Sequence, residues 1–319
     1  MTQNFSKTRS IVEGALLSAI TVLLSIASIY LPVLGILATF IWPVPIILLG
    51  IRHGIKTSIM ATIVSGLIVA MISEPLQAVT IIIGFGLTGI ALGYAIRRDF
   101  SPGATMVIGT AASTVSKVII IGISMIVLNI NPIKLQMDVL IEAVDKAAEF
   151  YSSIGIDTER IKPIINAFHD MAKVFHLIIP GMLLTASIAD TFLNFTVARL
   201  VLQKLGHRVR NFPPFIYWQF PPYTVALFLT GIIMAILYNY YPVEAFKTIG
   251  MNFAIFFPYV FILQGLSLLG FYLNKIKVSK ILRGLIVFMV IMTPFFTQVL
   301  MWAGMLEILF NFRKLKREP

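Results

Sequence analysis

The chain has 319 residues, 58% hydrophobic and only 12% charged, with a mean hydropathy of +0.92 and a formal net charge of +11. Soluble domains are about one quarter charged, so this composition excludes a water-soluble fold and intrinsic disorder. The bases fall in short clusters between apolar runs, which argues against nucleic-acid binding, and the absence of cysteine removes disulfides, thiolate metal sites and cysteine nucleophiles.

A helix crossing a hydrocarbon core of about 30 Å needs about 20 apolar residues. Runs at about 11–30, 32–50, 55–73, 76–96, 104–129, 174–203, 223–240 and 248–273 meet this, followed by an apolar stretch at 284–310. They predict an all-α polytopic membrane bundle of eight or nine transmembrane segments. Lys7 and Arg9 precede the first run, but no small-residue cleavage site and polar mature domain follow, so it reads as a retained helix.

Charge sets the expected orientation. With a cytoplasmic N-terminus, the inside clusters are Lys7 and Arg9; Arg52 and Lys56; Arg97 and Arg98; Arg199, Lys204, Arg208 and Arg210; and Lys275, Lys277, Lys280 and Arg283. The intervening outside loops are acidic or nearly uncharged, as the positive-inside rule requires of a cell-membrane protein. Glu13 and Arg199, near inner helix ends, read as interfacial anchors.

The fourth helix carries Gly86, Gly89 and Gly93, a smooth strip for a tight neighbour. The fifth carries Lys117 midway, with Thr110, Ser113 and Thr114 towards the same face. The sixth carries Asp190 midway, with Ser187 three residues before and Asn194 four after. Charges inside hydrocarbon are costly and tend to be paired or functional. Lys117 and Asp190 lie at similar depths from their inner helix ends, so adjacent antiparallel helices would bring them together. Two readings follow: an ion pair that fixes packing, or a polar pocket that binds an ionic small molecule or relays a proton.

Between these helices, residues 131–173 form the one long polar stretch, with seven acids and five bases. An apolar stripe from Met137 to Tyr151 predicts one amphipathic helix. Gly155 as a stop and Asp157 as an N-cap predict a second, running towards Pro180, so the segment reads as a helical hairpin outside the membrane. His169 and His176 share a face there, without the converging ligands that a metal needs.

The prolines and aromatics of 212–222, including Phe215, Tyr217 and Trp218, predict a rigid interfacial connector. Pro294 splits the last apolar stretch into pieces too short to cross alone, which predicts a re-entrant hairpin in place of a ninth span. The organisation expected is a membrane bundle over 1–205 and a second membrane module over 206–319.

The strings EGALLSAITVLL, LATFIWPVPIILLGIRHG, GFGLTGIALGYAIRR, FPPFIYWQFPP and FNFRK resemble the YybS-type family of bacterial polytopic membrane proteins, over most of the chain. The first 205 residues also resemble the S components of energy-coupling-factor transporters, six-helix bundles that capture vitamins or related small molecules. In that family small residues four apart on the first helix meet a scaffold subunit. Ala15 and Ala19 match that pattern, and Gly14 with Ser18 forms a parallel pair that ordinary helix packing would also explain. The membrane-inserted chain after residue 205 departs from S components and puts docking on the usual scaffold in doubt.

No phosphate-binding loop, zinc-protease motif or nucleophile elbow occurs, so ATP hydrolysis would come from another chain, and neither an enzyme nor a cofactor is expected. The expected partners are membrane lipids, a small-molecule ligand, and an energy-coupling scaffold with its ATPase subunits. The competing expectation is a membrane scaffold or regulator of envelope partners.

Overall fold

The computed structural model describes residues 2–31, 41–74, 78–127, 129–154, 158–207 and 209–315, and every regular element among them is helical. In order these are α1 (Thr2–Tyr30), α2 (Pro43–His53), α3 (Ile55–Ile72), a π-helical turn (Thr80–Gly86) leading into α4 (Leu87–Arg97), and α5 (Pro102–Val127). There follow α6 (Pro132–Ser153), α7 (Thr158–Lys204), a 3₁₀ turn (Phe215–Tyr217), α8 (Tyr223–Tyr238), α9 (Glu244–Lys275), α10 (Lys280–Met292) and α11 (Pro294–Phe310).

Six described segments are long and apolar enough to cross a membrane: Thr8–Tyr30, Ile55–Ile72, Thr80–Arg97, Pro102–Val127, Lys162–Lys204 and Glu244–Lys275. The chain is therefore a multi-pass helical membrane bundle. Two expected spans are shorter. Helix α2 has 11 residues and α8 has 16, or roughly 17 and 24 Å at 1.5 Å per residue. Part of the run at 32–50 lies outside the described residues. Helices α10 and α11 meet at a 101° bend. Pro294 brings no N–H to the ladder there, and the Thr297 hydroxyl donates to the carbonyls of Val290 (3.0 Å) and Thr293 (3.2 Å) beside the break.

Contacts group the chain into two units, residues 1–169 with 183–211, and residues 170–182 with 212–319. In the first unit α2 is buried from Pro43 to Gly50, as its apolar character on every side requires. It meets α4 backbone to backbone: a Cβ added at Gly93 would lie 3.0 Å from the Ile47 carbonyl oxygen and 3.3 Å from Gly50 Cα. Helices α1 and α3 meet through Gly14 and Ser18, the Ser65 hydroxyl donating to the Ser18 carbonyl at 3.2 Å. Several buried hydroxyls spend their hydrogen on the preceding helical turn, as Thr21 does on Leu17 and Thr62 on Ser58.

The second unit centres on Val225, Phe257, Val260, Phe261 and Ile308, with Phe228 and Phe253 packed edge-on against this cluster. Helices α9 and α11 cross so closely that a Cβ at Gly304 would fall 1.9 Å from the Phe261 carbonyl oxygen.

Helix α7 corrects the expected hairpin. Its second arm does not end towards Pro180 before a separate span begins: one 47-residue helix continues through both, about 70 Å long. Asn252 of α9 supplies the reason. Its Nδ2 donates to the Leu177 carbonyl at 2.6 Å, and its Oδ1 accepts from the Gly181 N–H at 2.5 Å, so a neighbouring helix engages the backbone where proline interrupts the ladder. The first arm, α6, starts at an Asn131 cap that accepts from the amides of Ile133 and Lys134. The expected Gly155 stop and Asp157 cap lie outside the described residues.

Candidate functional site

Helices α5 and α7 bring together the two charges that the sequence leaves inside apolar runs. Lys117 Nζ lies 3.0 Å from Asp190 Oδ2, with the side chains 28% and 24% exposed. Ser113 bridges the pair: its hydroxyl accepts from Lys117 Nζ at 2.6 Å and donates to Asp190 Oδ2 at 2.7 Å. Asn194 Nδ2, one turn further along α7, donates to Asp190 Oδ1 at 2.8 Å and to the Asp190 backbone carbonyl at 2.9 Å. Asp190 thus accepts from a cation, a hydroxyl and an amide, a charge-assisted set suited to an ionised carboxylate.

Helical spacing explains the convergence. Ser113 and Lys117 are one turn apart on α5, and Ser187, Asp190, Thr191 and Asn194 recur at three and four residues on α7, so each set shares one face. Small residues let those faces approach: a Cβ at Gly109 would come within 2.5 Å of Thr191 Cγ2.

The cluster holds more polar capacity than the described protein groups satisfy. Ser187, Thr191 and Asn194 are fully buried. Among the described residues Ser187 Oγ, Thr191 Oγ1, Asn194 Oδ1 and Thr114 Oγ1 have no hydrogen-bond partner. Buried polar atoms of this kind are ordinarily matched by protein or by ordered water. All six residues expected at the midplane, Lys117, Asp190, Asn194, Ser187, Ser113 and Thr114, therefore lie on the facing helices α5 and α7, and the first three with Ser113 are joined by hydrogen bonds.

The small residues of α1 divide into two sets. Gly14 and Ser18 are buried against α3, whereas Ala15 and Ala19 are exposed beside Ile11, Leu16 and Leu23. The parallel pair is internal packing, and the pair matched to the scaffold-binding pattern is accessible. Glu13 is more than the expected anchor: its carboxylate meets His53 Nε2 at 2.6 Å, Arg9 at 3.3 Å and Arg52 at 3.6 Å. Arg199 donates to Asn211 Oδ1 at 3.3 Å. His169 lies 3.2 Å from Asp145 on α6, and no group of three or more metal-ligating side chains occurs among the described residues.

A second ionic centre was not anticipated. Glu307 and Arg313 are paired at 2.7 Å with neither side chain exposed. Arg313 also donates to the carbonyls of Ile216 (2.6 Å) and Trp218 (2.8 Å) and to Ser267 Oγ (2.8 Å). The 212–222 connector is thus fastened to the interior of the second unit as well as presenting aromatic surface. Glu307 inside an apolar run was the available signal, and its partner was hidden among the bases that follow α11.

Comparison with known proteins agrees with this architecture. Residues 19–308 match the family described as "Predicted membrane protein (DUF2232)". The chain belongs to this family. Among relatives of this DUF2232 protein is "Uncharacterized protein YybS" of Bacillus subtilis (strain 168), 25% identical over 310 residues that cover 96% of this chain and 98% of the relative. No solved structure matches.

Proposed function

We propose that this DUF2232 protein binds an ionic small molecule within the membrane at the α5–α7 polar face, and that it acts as a solute-capturing subunit related to S components, without an ATPase of its own. One observation carries the reading: a closed Lys117–Asp190 pair surrounded by buried hydroxyl and amide atoms that lack protein partners. A ligand that inserts its own charges between lysine and carboxylate would gain both ionic contacts and the unused hydrogen-bonding atoms, inside a medium where such contacts are little screened. Lys117 would hold the anionic group, and Asp190, oriented by Asn194, the cationic one. The chain's role in this reading is binding, not catalysis, and the exposed Ala15 and Ala19 edge of α1 would receive an energy-coupling scaffold. The orientation that goes with it is a cell-membrane protein with a cytoplasmic N-terminus.

The test is purification of wild type and of Asp190→Asn in nanodiscs, followed by native mass spectrometry and extraction of small molecules. A bound ionic solute present in wild type and lost in the variant supports the reading; identical small-molecule content in both overturns it. Because the chain has no cysteine, single introduced cysteines with an impermeant label report the orientation directly.

A second reading, a scaffold for envelope partners, draws on the outer hairpin. Leu135, Val139, Phe150 and Tyr151 of α6 are exposed although that helix is too polar to count as a span. Recovery of another envelope protein by crosslinking at these positions, with no solute retained, would favour it.

A further inference from the structure

One end of the first unit gathers cations that its own carboxylates do not match. The ends of α2 and α4 and the segments that follow α4 and α7 meet there through hydrogen bonds: Arg52 Nε donates to His207 Nε2 at 3.2 Å, Arg97 Nη1 to the Gly50 carbonyl at 3.3 Å, and Arg210 Nη2 to Asp99 Oδ2 at 2.6 Å. The two carboxylates at this end are both engaged. Glu13 is held by Arg9, Arg52 and His53, and Asp99 by Arg210. Lys56, Arg97, Arg98, Arg199 and Lys204 remain, and among the described residues none lies within ion-pair distance of a carboxylate.

We infer that this end binds the phosphodiester headgroups of anionic phospholipids. Charge complementarity argues for an anion: five uncompensated cations at one end of a bundle repel one another, and anions held between them lower that energy. Chemistry argues for phosphate, because three of the five are arginines, whose planar donors match phosphate oxygens in pairs. Surroundings argue for lipid over free phosphate. Arg98 lies 5.7 Å from the centre of the Tyr94 ring, Tyr94 packs edge-on against Phe100 at 6.2 Å, and both rings are partly exposed. Aromatic side chains beside basic ones are the composition that settles at headgroup depth. Four of the five cations, Lys56, Arg97, Arg98 and Lys204, are exposed, so lipid reaches them without opening the bundle.

The experiment compares the full chain in nanodiscs of pure phosphatidylcholine with nanodiscs containing one part phosphatidylglycerol in three, reading the unfolding temperature by tryptophan fluorescence. Phosphatidylglycerol is expected to raise that temperature by several degrees. Raising salt from about 0.05 to about 0.5 M, which shortens the screening length from roughly 14 to 4 Å, is expected to shrink the gain. A Lys56→Gln, Arg98→Gln, Lys204→Gln variant alters exposed side chains only and is expected to lose more than half the gain, whereas Lys134→Gln, Lys146→Gln on α6 keeps it. Equal unfolding temperatures in the two lipids, or a full gain in the triple variant, overturns the inference. The same rise produced in phosphatidylcholine by inorganic phosphate alone overturns the lipid assignment.

Discussion

Lys117 Nζ and Asp190 Oδ2 are 3.0 Å apart and 73 residues apart in the chain, with the Ser113 hydroxyl joined to both. Lys117→Met leaves a carboxylate inside the bundle, and Asp190→Asn leaves an ammonium. Each single change is expected to destabilise the protein by about 2–3 kcal/mol, the scale set by one uncompensated charge at membrane depth. The double change should cost less than the sum of the two. Denaturant unfolding of the four proteins measures the coupling, and strictly additive losses would show that the pair is not a pair in energetic terms.

Glu307 and Arg313 form a deeper centre. Arg313→Met removes the cation and also abandons the carbonyls of Ile216 and Trp218, so a loss of about 3–5 kcal/mol is expected. Because the same guanidinium fastens the connector, limited proteolysis between residues 212 and 222 should accelerate in this variant. Unchanged cleavage would place the connector's stability elsewhere.

Glycines separate into those that permit contact and those that merely occur. At Gly304 a methyl group would overlap the Phe261 carbonyl, whereas at Gly103 and Gly122 it would meet nothing within 4 Å. Gly304→Ala is expected to lower stability by 2 kcal/mol or more, on the order of an overpacking change. Gly103→Ala and Gly122→Ala should be neutral or stabilising by up to about 1 kcal/mol through helix propensity. Thermal unfolding of the three variants side by side decides it.

On α6, which is not one of the candidate spanning helices, the hydrogen bond from Lys146 and then its charge hold the Glu142 carboxyl below the ordinary glutamate range. The same bond lifts the Lys146 ammonium above the ordinary lysine range. The depressed carboxyl contributes stability above its unfolded value and loses it as pH falls through its folded value. The raised ammonium contributes below its unfolded value and loses it as pH climbs through its folded one. The protection of α6 amides, meaning exchange corrected for its intrinsic pH dependence, should therefore be highest between those limits and fall on the acid side, and Glu142→Gln should flatten that acid fall. The effect is small, because both side chains are exposed.

Much of the membrane architecture was legible because lipid imposes length and apolarity on each crossing. The Lys117–Asp190 pair was legible for a related reason: an ionised group in an apolar run must find a partner, and similar depth narrows the choice. The continuity of α7 was hidden, since Pro180 reads as a break until Asn252, 71 residues from Gly181, engages the backbone beside it. The Glu307–Arg313 pair was hidden differently. Arg313 sits in a basic run that loop charge alone explains, and only the left-handed turn at Asn311 (φ 48°) helps bring it back beside Glu307. The open pattern of buried hydroxyls around Asp190 required coordinates, because serine on a membrane helix serves packing as readily as binding.

The position of Arg313 also sets where this chain can be shortened or labelled. Helix α11 ends at Phe310, and a truncation there looks harmless by secondary structure. It would nevertheless remove the counter-charge of an interior carboxylate three residues beyond the helix. A fusion partner or affinity label is best joined after Leu315, whose amide and carbonyl still bond to Asn311.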